Sequence, residues 1–147
     1  MKKKLPNVQL VNARQISFGA RLGLDLAGST LRVAAARVED CIRSEFHNES
    51  LGSPSQKQIS LAAEFGHDIT SATERVAYAV VADILEQLDH DTIAAEGLAP
   101  GVTVRNIHDK HTATYVISSI HPDLVYFKGG NGKRAYARSL RRIDRNG

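Results

Sequence analysis

Between Lys128 and Arg145 the chain carries seven cations, Lys128, Lys133, Arg134, Arg138, Arg141, Arg142 and Arg145, with Tyr126, Phe127 and Tyr136 beside or among them. Ammonium and guanidinium groups neutralise phosphates, and aromatic faces stack on exposed bases, so this combination is that of a surface for nucleic acid. Such contacts position a polymer rather than read its sequence. The competing reading is a barrel core with a solvated cationic rim. In an extended strand, only one of Tyr126 and Phe127 can face inward. Other chemistries find no pattern here. His108, His111 and His121 fit no zinc spacing, and no cysteine joins them. Ser118 and Ser119, near His121, lack a nucleophile elbow. No two carboxylates bracket a base or nucleophile. The stretch GGNGK, residues 129–133, lacks both the spacing of a phosphate loop and the helix that should follow it. No enzymatic activity, metal site or cofactor is expected.

The elements that must position these cations are β-strands. Gly97, Pro100 and Gly101 end a helical region. Beyond them GVTVRNI, TATYVISSIH and LVYFKGG read as strands, with a turn at Pro122–Asp123 and a tight hairpin at residues 129–132. KRAYARSLRRI reads as a further strand, interrupted by a short 3₁₀ turn near Ser139–Leu140. Four or five short strands in so little chain bury themselves best by closing into a small barrel.

The first two thirds are written twice. At an offset of 43 and without a gap, thirteen residue pairs are identical, among them Gln15/Gln58, Gly23/Gly66, Asp25/Asp68, Thr30/Thr73, Arg32/Arg75 and Asp40/Asp83. A fixed period of this size marks a supersecondary unit used twice. Each unit reads as a short helix, a closing glycine (Gly23 or Gly66), an extended loop anchored by Leu26 or Ile69, and a second helix N-capped by Thr30 or Thr73. A unit of about 35 residues is near the lower limit for burying a core alone. Pairing for stability is therefore one reason for the duplication, and two similar contacts on one elongated partner is another. Arg32 and Arg75 sit in a first helical turn, where a cation opposes the helix dipole. They suit either a phosphate contact or an ion pair with Asp25 and Asp68 seven residues earlier, and the recurrence of both aspartates favours the pair. Asp40 and Asp83 read as structural groups.

The composition is that of a globular chain, 42% hydrophobic and 24% charged. No apolar run is long enough to span a membrane, and no apolar segment follows the basic start MKKKLPNVQL, so neither a span nor a secretory signal is expected. The single cysteine, Cys41, reads as a small buried hydrophobe of a reducing, cytoplasmic environment. The net charge of +3 conceals a split: residues 1–51 carry +3, residues 52–97 carry −6 and residues 98–147 carry +6. An acidic second repeat repels phosphate, while the two flanking regions attract it.

The C-terminal third resembles the small SH3-like barrels of the Tudor and KOW kind, through its opening leucine, glycine and valine (Leu98, Gly101, Val104), its Gly-rich hairpin and its closing Ser139-Leu140 with Ile143. The repeats resemble SAP-like helix–extended-loop–helix modules through Leu22-Gly23-Leu24 with Arg32-Val33, and Phe65-Gly66-His67 with Arg75-Val76. This second resemblance implies nucleic-acid binding at the loop and at the start of the second helix, whose free N–H groups favour anions. The expected fold is α+β: a basic tail (1–12), repeat 1 (13–48), a linker (49–55), repeat 2 (56–91), a linker (92–100) and a barrel with a basic end (101–147). The expected function is a non-catalytic nucleic-acid-binding accessory protein, a subunit of a larger nucleoprotein complex. Its contacts would be Lys128, Lys133, Arg134, Tyr136, Arg138, Arg141 and Arg142, with Lys3, Lys4, Arg14, Arg21 and Arg32 from the N-terminal part. The alternative is an adaptor whose repeats dock on a larger protein and whose barrel meets acidic protein surfaces.

Overall fold

A computed structural model describes residues 5–111, 113–129 and 131–143. Among these residues the fold is α+β, with four helices followed by a five-stranded antiparallel sheet. The chain divides into two compact units, residues 1–84 and 85–147. No helix among the described residues is long and apolar enough to cross a membrane.

In the first unit α1 (Ala13–Arg21) and α2 (Leu31–His47) form repeat 1, and α3 (Gln56–Glu64) and the start of α4 (Glu74–Glu96) form repeat 2. The repeats match down to their caps. Asn12 with Gln15, and Ser55 with Gln58, close reciprocal capping boxes on α1 and α3. Gly23 and Gly66 follow these helices at φ 79° and 80°. Their N–H groups reach the carbonyls of Ala20 and Ala63, and the next residues reach those of Gly19 and Ala62. This closure satisfies orphan helix carbonyls, and the left-handed backbone it needs is what glycine supplies. Asp25 and Asp68 each cap their own loop, accepting from the N–H of Ala27 (3.1 Å) and Thr70 (3.0 Å). Leu26 and Ile69 are buried, as the loop anchors should be. The equivalence continues upstream: Leu31 donates its N–H to Gln9 O and Glu74 donates its to Gly52 O. Residues 9–11 pair with the loop before α2 through a bridge between Leu10 and Thr30. Buried alanines at 34, 36, 62, 77 and 79 supply small-residue helix faces. Cys41 is half-buried.

The second helix of repeat 2 outruns the expected end of that repeat. α4 continues to Glu96, and the division between the two units falls inside it. In the second unit β1 (Thr103–Asn106), β2 (Thr114–His121), β3 (Leu124–Phe127), β4 (Arg134–Tyr136) and β5 (Leu140–Arg142) lie in the order β4-β3-β2-β1-β5. A 3₁₀ turn at Ala137–Ser139 precedes β5. Asn131 and Gly132 take φ of 63° and 67°, the successive left-handed pair that a tight hairpin uses. Val104, Ile117, Val125, Phe127, Ala137 and Leu140 form the core together with Leu98, and Ile93 of α4 packs against them. The sheet does not close into the expected barrel: β4 and β5 are its two edges. Its apolar side is instead covered by the last turns of α4 and the residue after Gly97, so burial is achieved without closure.

Candidate nucleic-acid interface

Alternation along β3 and β4 sorts the aromatic residues. Val125 and Phe127 point into the core, which leaves Leu124 and Tyr126 on the opposite face. On β4, Ala135 packs against the core, while Arg134 and Tyr136 are exposed. The register sets Tyr126 opposite Arg134 and Leu124 opposite Tyr136. His121 adds an edge contact to Tyr126, with ring centroids 5.8 Å apart. Tyr136 is not a core residue: it is 47% exposed, and the Arg138 guanidinium lies over its ring at 4.3 Å. Lys128 and Lys133, both exposed, flank the hairpin that joins the two strands. The outer face of β3–β4 therefore combines two tyrosines with Arg134, and the hairpin adds two lysines.

Arg138, Arg141 and Arg142 have protein partners, and Arg145 lies outside the described residues. Arg138 Nη1 lies 2.9 Å from Asp89 Oδ2, and its backbone N–H donates to Asp89 Oδ1 at 2.8 Å. Asp89, on α4, is fully buried. Burial pushes its carboxyl up to about 6, helped by a hydrogen bond to Asp123 and opposed by Arg138. Arg141 donates to the carbonyls of Arg138 (3.0 Å) and Leu140 (2.7 Å). Arg142 receives Glu96 on its backbone N–H at 2.7 Å, and its guanidinium approaches Gly97 O at 3.4 Å.

In the first unit Arg14 and Arg21 are exposed on α1. Lys3 and Lys4 lie outside the described residues. Arg32 and Arg75 do not pair with Asp25 and Asp68, which are engaged in their own loops. Each crosses to the other repeat: Arg32 Nη1 lies 3.0 Å from Asp83 Oδ1, and Arg75 Nε lies 3.2 Å from Asp40 Oδ1. The capping hydroxyls follow them, Thr30 donating to Asp83 and Thr73 to Asp40. The start of α2 thus already faces a carboxylate, and its first N–H is taken by Gln9. The sequence marked Asp40 and Asp83 by their recurrence, but separation along the chain hid that each serves the opposite repeat. Asp89 has no repeat signature and carried no such mark.

No protein family, curated protein or solved structure matches this chain.

Proposed function

We propose that the protein is a non-catalytic nucleic-acid-binding accessory subunit that holds the phosphate backbone along the β3–β4 hairpin and the outer face of these strands. The observation that carries this reading is the cross-strand placement of Tyr126 beside Arg134, with exposed Tyr136 on the same face and Lys128 and Lys133 at the adjoining turn. Cations neutralise phosphate there while the rings offer stacking surfaces. An SH3-like relationship is supported by the pairing of β5 with β1 and by the 3₁₀ turn between β4 and β5. The repeats act in this reading as a self-contained scaffold, because their conserved-by-repetition polar groups bind each other.

The test is binding of mixed-sequence DNA and RNA, single and double stranded, at two salt concentrations. Affinity should fall steeply with salt, and Lys128→Glu, Lys133→Glu and Arg134→Glu together should abolish it while the fold is retained. Arg138 is left intact because it neutralises buried Asp89. Unchanged affinity in the triple variant would remove the hairpin from the interface. A second reading, the adaptor, is favoured by an apolar cleft of about 490 Å³ in the first unit, where Phe18 stands 52% exposed beside Leu31, Ala35 and Val38. Absence of polyanion binding even at low salt would select it.

A further inference from the structure

Beside the hairpin, on the second unit, lies a groove of about 520 Å³ lined by Asn106, His108, Asp109, Tyr115, Phe127 and Lys133, with Arg134 at its edge. Its floor is aromatic. Tyr115 stacks on Phe127 with ring centroids 4.7 Å apart and planes inclined by 18°, and Phe127 is anchored in the core. The Tyr115 hydroxyl donates to Asp109 Oδ2 at 3.3 Å, and Asp109 Oδ1 accepts from the His111 N–H at 2.8 Å. The ring is thus held by stacking at one face and by its hydroxyl. Lys133 Nζ stands 5.5 Å above it. Asn106 Oδ1 accepts from the His108 N–H at 2.8 Å, which fixes the amide at the wall.

This volume falls in the range of small-molecule sites, roughly 300–1,000 Å³. A flat supported ring, a fixed amide and a carboxylate suit a planar heterocycle with hydrogen-bonding edges. One ammonium at the rim suits an anionic tail on that heterocycle. The charges also give a direction: Asp109 repels phosphate and accepts from an exocyclic amine, while Lys133 and Arg134 attract phosphate. We infer that the groove takes one nucleobase of a bound single strand, laid on Tyr115 in the place of Lys133 Nζ, which turns with Arg134 to the adjoining phosphate. This rests on the nucleic-acid reading above and adds a recessed place for one base beside the stacking rings of the outer face. The same chemistry could come from a free nucleotide, and the experiment separates the two sources.

The full chain is titrated with single-stranded oligodeoxycytidylate, with an abasic DNA of the same length and with cytidine monophosphate. The base-bearing strand should bind roughly tenfold more tightly than the abasic one. Tyr115→Leu should lose that advantage and leave abasic binding unchanged, with circular dichroism reporting the fold. Since Tyr115 also packs on the core, photocrosslinking of a 5-iodocytosine strand to the unmutated chain provides the second measurement, with the adduct expected on Tyr115. Adducts confined to Tyr126 and Tyr136 would overturn the groove and leave the outer-face interface standing, whereas equal affinity for the two strands would overturn the groove and reduce that interface to its phosphate contacts. Binding of the monophosphate without either strand would overturn the strand-bound base in favour of a free nucleotide. Failure of all three ligands to bind would overturn the groove, and, together with failure of the duplex and RNA probes above, the nucleic-acid reading itself.

Discussion

Arg32 Nη1 lies 3.0 Å from Asp83 Oδ1, and the same relationship recurs with the repeats exchanged, Arg75 Nε lying 3.2 Å from Asp40 Oδ1. Each repeat therefore gives a threonine and an arginine from the start of its second helix and an aspartate from further along it. Each receives the complementary set from its neighbour. An interface related by a two-fold operation requires both halves to carry both sides of the contact. That requirement explains why Thr30/Thr73, Arg32/Arg75 and Asp40/Asp83 are all among the identical pairs. The carboxylates are buried while both arginine side chains stay 44% exposed, so a charge at the rim neutralises one beneath it.

Removing either aspartate should cost comparable stability. Asp83→Ala and Asp40→Ala each delete a hydroxyl and a guanidinium contact, and hydrogen bonds to charged groups are worth about 1.5–3 kcal/mol. Exposure of the arginines keeps the loss toward the lower part of that range. Asp25→Ala, which loses only a loop cap, should cost about 1 kcal/mol or less. Urea unfolding followed by helical circular dichroism compares the three, and a larger loss for Asp25→Ala would contradict the cross-repeat assignment.

Gly19 tests packing inside repeat 1. A Cβ there would sit 2.4 Å from Leu26 Cδ1, and Leu26 is only 1% exposed. Gly19→Ala should therefore destabilise by about 1–3 kcal/mol from overpacking, partly offset by the roughly 1 kcal/mol that alanine gains over glycine in a helix. Repeat 2 has buried Ala62 and Ile69 at the corresponding positions. Adding Leu26→Ile to Gly19→Ala should restore part of the lost stability, measured by thermal unfolding.

Asp89 predicts a pH dependence for the second unit. Its folded-state carboxyl titrates near 6, above the ordinary value of 3.8, chiefly because it is buried. A raised value means that the fold favours the protonated form. This contribution is fully present below pH 3.8 and is lost as pH rises through about 6. Asp123→Asn removes a neighbouring negative charge, so the denaturation midpoint at pH 8 should move closer to that at pH 5. An unchanged difference would exclude Asp123 from the coupling.

Arg134 and Arg138 should separate binding from stability. Arg134→Ala is expected to weaken polyanion binding several-fold and to leave unfolding within about 0.5 kcal/mol of the parent. Arg138→Ala leaves Asp89 buried without its cation and should cost about 3 kcal/mol. Equilibrium unfolding and a binding titration on both variants check the pair.

Local signals were legible without the fold. The glycines that end α1 and α3, the threonine caps, the loop anchors Leu26 and Ile69, and the Pro-Asp and Asn-Gly turns each depend on a few neighbouring residues, so sequence determined them. The period of 43 residues likewise announced two copies of one unit. Partnership across long separations was decided only by tertiary structure. Asp25 is seven residues from Arg32 and Asp83 is fifty-one, yet the loop turns Asp25 onto its own backbone and packing delivers Asp83. The same applies to the C-terminal cations, which look alike in sequence: Arg138 is taken by Asp89, forty-nine residues earlier, while Arg134 is left exposed on the outer face. Whether the sheet closed was also beyond local reading. Strand patterns fix which side chains are apolar, but cover for that apolar side comes from Ile93, on the part of α4 that runs past the expected end of repeat 2 into the stretch that reads as a linker.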